Sequence, residues 1–192
     1  RFPSSRTLLV GAWLACTASG IVNAAPVEVA ASTSVIADFV KVIGGSRISL
    51  LTLVPANADT HTYQPTTRDV QRLSEAKTLF INGANLEPWL PKLIGSAPGV
   101  KVVTLSSGVK LRRASELVAE GLEADGAYDP HTWWNPQNAL VYVKTIQAEL
   151  TRLDPAGKTV YAANVVAYQK QLSSLDAVWQ HSGPAAPVGD QP

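Results

Sequence analysis

The chain has 192 residues, 46% of them hydrophobic, a formal net charge of +1 and a single cysteine. A composition this apolar fills a core and is not that of a disordered chain. A balance this near neutral gives no electrostatic reason for a nucleic-acid or anionic-membrane partner. Beyond residue 24 no apolar run approaches the ~18 residues of a membrane span.

Residues 1–24 read as a secretory signal. Arg1 and Arg6 form a basic start, Leu8–Ala15 a short apolar centre, and Val22-Asn23-Ala24 a small-residue close. That order predicts a periplasmic or secreted protein. Leu14-Ala15 before Cys16 resembles the approach to a lipid-attachment cysteine, but Trp13 stands where such signals have Leu. A lipid anchor at Cys16 is therefore not expected. The remainder has no cysteine, which excludes disulfides, thiolate zinc sites and thiol nucleophiles there.

From residue 25 strand and helix signals alternate. Val27–Ala31 reads as a strand, followed by a helix capped at Ser32 or Ser34 with Ile36, Phe39, Val40 and Ile43 on one face and Gly44-Gly45 at its end. Ile48–Val54 reads as a strand buried on both faces. A loop from Pro55 to Pro65 leads to Thr66 and Asp69, a capping box for a helix with Val70 and Leu73 inward. Thr78–Ile81 is a third strand, Leu86–Ile94 a partly helical segment with Pro88 near its first turn, and Val100–Leu105 a fourth strand. Glycines and prolines punctuate residues 106–136, leaving loop with one helical turn near Ser115–Glu120. Ala139, Val143, Ile146, Leu150 and Leu153 line one helix. A longer one runs from Pro155 to Trp179 with apolar steps of four and three.

This alternation predicts an α/β fold, a four-stranded mostly parallel sheet with helices on both faces and a long C-terminal helix. Ligands in such folds sit beyond the carboxyl ends of the strands. The loops beginning at Pro55 and Ser106 lie there, and each holds a histidine. His61 sits in Asp59-Thr60-His61-Thr62-Tyr63-Gln64-Pro65, and His131 in Asp129-Pro130-His131-Thr132-Trp133-Trp134-Asn135-Pro136. Each has an Asp two residues before it and aromatic and proline residues after it. Neutral imidazole suits zinc, manganese and iron, and a nearby carboxylate can fix its tautomer. The pattern points to His61 and His131 as ligands of one metal ion, with Asp59 and Asp129 as their outer carboxylates.

The two motifs together resemble those of the substrate-binding proteins of zinc and manganese ABC importers, which read D-x-H-x-Y-E-P-T-x-x-D and D-P-H-x-W. The segments A-S-T-S-V-I-A-D-F-V and N-G-A-N-L-E-P-W-L are also similar to that family, and the likeness runs from about Val27 to about Asp176. The resemblance implies two α/β lobes joined by a long helix, a divalent ion captured between them, and delivery to a membrane permease. It also implies that His61 and His131 are the N-terminal lobe's two imidazole ligands. The family's other ligands come from a C-terminal lobe, which the residues after the long helix are not expected to form.

The resulting expectation divides the chain into a signal (1–24), an N-terminal metal-binding lobe (25–153), an interlobe-type helix (154–180) and a disordered Gly/Pro-rich tail (181–192). The expected ligand is a transported divalent ion, zinc ahead of manganese, with no organic cofactor, no nucleic acid and a monomeric state. Two other readings use the same residues: a zinc-dependent hydrolase, and a metal-free adhesin or interaction protein presenting Trp89, Trp133, Trp134 and Trp179. No H-E-x-x-H, G-x-S-x-G or phosphate-binding glycine loop supports catalysis.

Overall fold

The computed structural model describes residues 25–121 and 126–182. The proposed signal and residues 183–192 of the expected tail lie outside them. Four strands, β1 (Val27–Thr33), β2 (Ile48–Val54), β3 (Thr78–Ile81) and β4 (Lys101–Thr104), form one parallel sheet in the order β2-β1-β3-β4. Six α-helices lie among the described residues: α1 (Ser34–Gly44), α2 (Thr67–Leu73), α3 (Leu90–Ser96), α4 (Ala114–Ala119), α5 (Pro136–Leu153) and α6 (Lys158–Ser182).

The parallel sheet alternates its faces as a period-two pattern requires. Val29, Ala31 and Phe80 pack with α1, α5 and α6, through Ile36, Phe39, Tyr142, Ile146, Tyr161 and Val165. Ala30, Leu79 and Ile81 face the other way, onto Leu73 of α2 and Leu93 of α3. The expected two-sided α/β layering is borne out. β2 differs from expectation: it is the edge strand, and Ile48–Thr52 are only half-buried.

Local signals are also shifted in places. The cap of α1 is Thr33, whose hydroxyl accepts from the Ile36 N–H at 3.3 Å, because Ser32 is buried and turned to another partner. Gly44 could not be another residue without a shift, since an added Cβ would come within 2.4 Å of Ile48 Cδ1. The first-turn proline of the third helix is Pro91, and Pro88 lies before it. The capping box of α2 forms as read, from Thr66 and Asp69.

The long helix α6 has 25 residues without a break, about 38 Å at 1.5 Å per residue. It starts at Lys158, after a tight turn at Pro155–Gly157, and reaches Ser182, so both ends differ slightly from the expected 154–180. Asp154 is occupied there as a staple: Arg47 grips it with two N–H groups at 2.6 and 2.9 Å, and Tyr161 Oη donates to it at 2.7 Å. Tyr161, Val165 and Leu172 of α6 are buried, whereas Leu175 is 62% exposed. The lobe covers the first part of the stripe and leaves Leu175 in solvent.

A second staple sits under the sheet. Glu149 of α5 is buried and accepts from Thr78 at 2.7 Å, Lys101 at 2.6 Å and Arg152 at 2.7 and 3.0 Å. Burial alone would raise its carboxyl, but these donors outweigh it and hold the group at about 2. Arg47 holds Asp154 at about 2 as well, against a smaller opposing effect of burial.

Both carboxylates titrate below their unfolded values of about 4, so the folded state binds fewer protons between about pH 4 and 2. Their contribution is complete above that window and is lost as pH falls through it. Glu87, raised by burial, acts oppositely: its contribution is complete below its unfolded value and is lost as pH rises through its higher folded one. Glu149→Gln should lower stability near neutrality by about 1–3 kcal/mol. It should also flatten the acid limb, read as urea midpoints across a pH series.

Candidate metal centre

His61 belongs to the loop after β2, at the carboxyl edge of the sheet. Asp59 Oδ1 accepts the His61 backbone N–H at 2.9 Å, and its Oδ2 accepts the Thr62 hydroxyl at 2.8 Å. These two bonds, the hydroxyl first, depress the Asp59 carboxyl. Asp59 thus caps the loop through the His61 N–H and the Thr62 hydroxyl, with a smaller electrostatic contribution from His61. From below, Trp89 Nε1 donates to the Thr60 carbonyl at 2.8 Å. Tyr63 packs edge-on against Trp89 at 5.3 Å and donates its hydroxyl to Asp69 at 2.9 Å.

His131 precedes a short 3-10 turn, Thr132–Trp134, that leads into α5. Asp129 Oδ1 accepts its backbone N–H at 2.9 Å and also lies 2.9 Å from its Nδ1. An imidazole whose Nδ1–H is donated to this carboxylate presents Nε2 as its lone-pair nitrogen. Asp129 therefore reaches the ring as well as the backbone. Trp134 stacks on His131 at 5.4 Å and 23°, and Trp133 meets it edge-on at 5.4 Å. Trp133 is half-buried and Trp134 77% exposed, so one of the adjacent pair points inward, as their neighbouring positions require.

The structure brings the two histidines together. Their ring centroids are 5.8 Å apart at 62°, although seventy residues separate them in the chain. Beside them is a hollow of about 330 Å³, lined by His61, Ala84, Asn85, Tyr128 and Pro130 among others. Among the described residues, no cluster of three or more His, Cys, Asp or Glu forms a metal site. Two imidazoles with a free approach bind a soft or borderline divalent ion incompletely.

Sequence reasoning missed the groups beneath these loops. Asn82, fully buried at the end of β3, donates through Nδ2 to the Pro130 carbonyl at 2.8 Å. Its Oδ1 accepts from the Tyr142 hydroxyl, which also shares a hydrogen bond with Thr132. Burial keeps the Tyr142 phenol at about 12, so it remains protonated. Buried Glu87 accepts from Ser32 at 2.7 Å and from the backbone N–H groups of Asn82 and Gly83 at 2.8 and 3.0 Å. Gly83, Ala84 and Asn85 all have left-handed φ, of 82°, 51° and 65°. At the two non-glycine residues such a backbone costs about 1–3 kcal/mol each and persists only where surroundings impose it. The N-G-A-N-L-E-P-W segment was visible as a motif, but nothing in it signalled the bond from Trp89 to the Thr60 carbonyl.

The family described as "Zinc-uptake complex component A periplasmic" matches residues 29–191. The chain belongs to this family. The match runs past Asp176 into the tail, which the sequence reading had set apart from the family. The iron ABC transporter substrate-binding lipoprotein MtsA of Streptococcus pyogenes serotype M1 is 35% identical over 185 residues, covering 88% of this chain and 58% of its own length. The manganese ABC transporter substrate-binding lipoprotein PsaA of Streptococcus pneumoniae is 36% identical over 156 residues, covering 78% and 49%. A Mn-bound periplasmic metal binding protein from Candidatus Liberibacter asiaticus has the same fold, with a TM-score of 0.67 and 30% identity over 76% of this chain and 52% of that one. The chain spans about half the length of the relatives it matches. Both curated relatives are lipoproteins by name, which counts against setting aside Cys16 as an anchor; that residue lies outside the described residues.

Tyr142→Phe removes one hydroxyl and strands two buried partners. It should cost about 1–3 kcal/mol, measured as a loss in urea-unfolding free energy.

Proposed function

We propose that this chain supplies the N-terminal half of the metal site of an ABC importer's substrate-binding protein, with His61 and His131 as ligands of the transported ion. The observation that carries this reading is the convergence of two distant imidazoles at 5.8 Å on the carboxyl edge of a parallel sheet. Asp129 on Nδ1 of His131 supports it, since that bond turns Nε2 outward as donor. The ion is cargo, so no bond is made or broken in it and no catalytic step is proposed. Its recipient is a membrane permease. The site works outside the cytoplasmic membrane, with residues 1–24 as the export signal. The relatives' names support Cys16 as a lipid-attachment residue, and with that anchor the signal removed is residues 1–15 and Cys16 begins the exported chain.

The donor set favours zinc over manganese, because manganese lies lowest in the divalent affinity order and prefers oxygen ligands. A closed site needs about four donors, and two imidazoles leave the rest of the coordination shell to water. Each missing donor removes a bond and the preorganisation that made it easy to form.

Titration calorimetry on the chain is expected to give zinc binding on the order of micromolar or weaker, and weaker manganese binding. His61→Ala and His131→Ala should each abolish it. Nanomolar one-to-one binding, or binding indifferent to both substitutions, would overturn this reading. Asp129→Ala should weaken zinc about 10–100-fold, the usual effect of removing a ligand's outer hydrogen-bond partner. Asp59→Ala, which frees the His61 N–H and the Thr62 hydroxyl and no ring nitrogen, should weaken it less.

A further inference from the structure

One short stretch of chain reaches both histidine loops. Trp89 Nε1 donates to the carbonyl of Thr60, and Asn82 Nδ2 donates to the carbonyl of Pro130, each at 2.8 Å. Thr60 and Pro130 are the residues immediately before His61 and His131. Each carbonyl belongs to the same peptide unit as the following histidine N–H, and that N–H is held by Asp59 or Asp129 at 2.9 Å. The peptide plane that launches each histidine is therefore gripped at its oxygen and at its nitrogen.

The acidic grip is local, made two residues away within each loop. The carbonyl grip is shared, because both donors lie on the single segment from Asn82 to Trp89. That segment has a shape of its own. Its three consecutive left-handed residues are held against relaxation, and Glu87 binds it back on itself through the N–H groups of Asn82 and Gly83. Glu87 also ties it to Ser32 at the end of β1. Both donors are anchored: Asn82 is fully buried and Trp89 is 9% exposed, packed on Tyr63.

We infer that the Asn82–Trp89 segment is the positioning element of the site, a rigid bridge that sets the separation of His61 and His131 before an ion arrives. The inference rests on the reading of these two histidines as ligands. Neither Asn82 nor Trp89 touches the ion. Each acts through a peptide plane, and its contribution is the reorganisation that the loops are spared on binding.

Zinc affinity of the full chain, measured in competition with a chromophoric chelator, tests this. Trp89→Phe keeps an aromatic ring at the Tyr63 contact and removes the indole N–H with part of the ring system, and Asn82→Ala removes the other grip. Each is expected to weaken zinc about tenfold, in the range known for outer partners of metal ligands. Cobalt(II) bound in place of zinc should show an altered visible spectrum in both variants, which a stability loss alone does not produce. Leu172→Ala, which hollows the core under α6 in the cluster on the sheet face opposite Trp89, should leave the affinity of the folded protein within about twofold. The inference falls if Trp89→Phe binds zinc like the unaltered chain while His61→Ala and His131→Ala do not bind. It also falls if Leu172→Ala weakens binding as much as Trp89→Phe does. If the two histidine variants bind zinc normally, the ligand reading fails and takes the inference with it.

Discussion

A buried carboxylate governs the exit of the central sheet. Glu87 accepts three hydrogen bonds, from Ser32 on β1 and from the first two N–H groups after β3. A charge taken out of water must be matched by donors or be neutralised. Burial pushes this carboxyl up, and the donors pull against it. The geometry that satisfies Glu87 bends residues 83–85 into the left-handed region. That bend directs Asn82 toward the His131 loop and brings Trp89 under the His61 loop. The site's frame thus derives from the electrostatic requirement of one side chain that lies in neither histidine motif.

The rest of the lobe is arranged so that this edge can be specialised. Ion-pair staples lie away from the histidines. Arg47 and Asp154 join the turn after α1 to the turn before α6, and Glu149 joins α5 to the starts of β3 and β4. In a parallel sheet all strands begin at one edge and end at the other. The beginning edge can carry cross-links with no effect on a ligand, while the ending edge keeps its polar groups for loops. Separation of this kind lets the His61 loop stay exposed without costing the fold its core.

Much of this was legible in the sequence. Strand and helix periods located all four strands, and the paired D-x-H motifs located both histidines, since each motif is local. Asp129 could also be placed, because a carboxylate two residues from a histidine reaches either its ring or its backbone. Which of the two it reaches depends on loop torsions that spacing does not encode, and Asp59 bonds the His61 backbone N–H and the Thr62 hydroxyl. The edge position of β2 was hidden for a different reason. Strand order is a property of the crossovers, and an apolar strand half-covered by α1 reads like a central one. Asn82, Trp89 and Tyr142 were hidden most completely. Their partners are backbone carbonyls or hydroxyls 29 to 60 residues away, and a carbonyl has no sequence signature.

The balance between the two histidine loops says where strength is needed. His131 is half-buried, stacked on Trp134, met edge-on by Trp133 and hydrogen-bonded at Nδ1, and its loop rests on the Asn82–Tyr142–Thr132 network. His61 is exposed and has no such ring contacts beyond His131 itself, and its loop is held through backbone and hydroxyl bonds. A cargo site must hold an ion and also let it go. Fixing one imidazole fully and the other only at its peptide plane meets both demands. With the two imidazoles as the proposed ligands, the fixed ring would supply the first bond and the freer ring would close on the ion by side-chain rotation. Release would then begin with His61, the exposed ring.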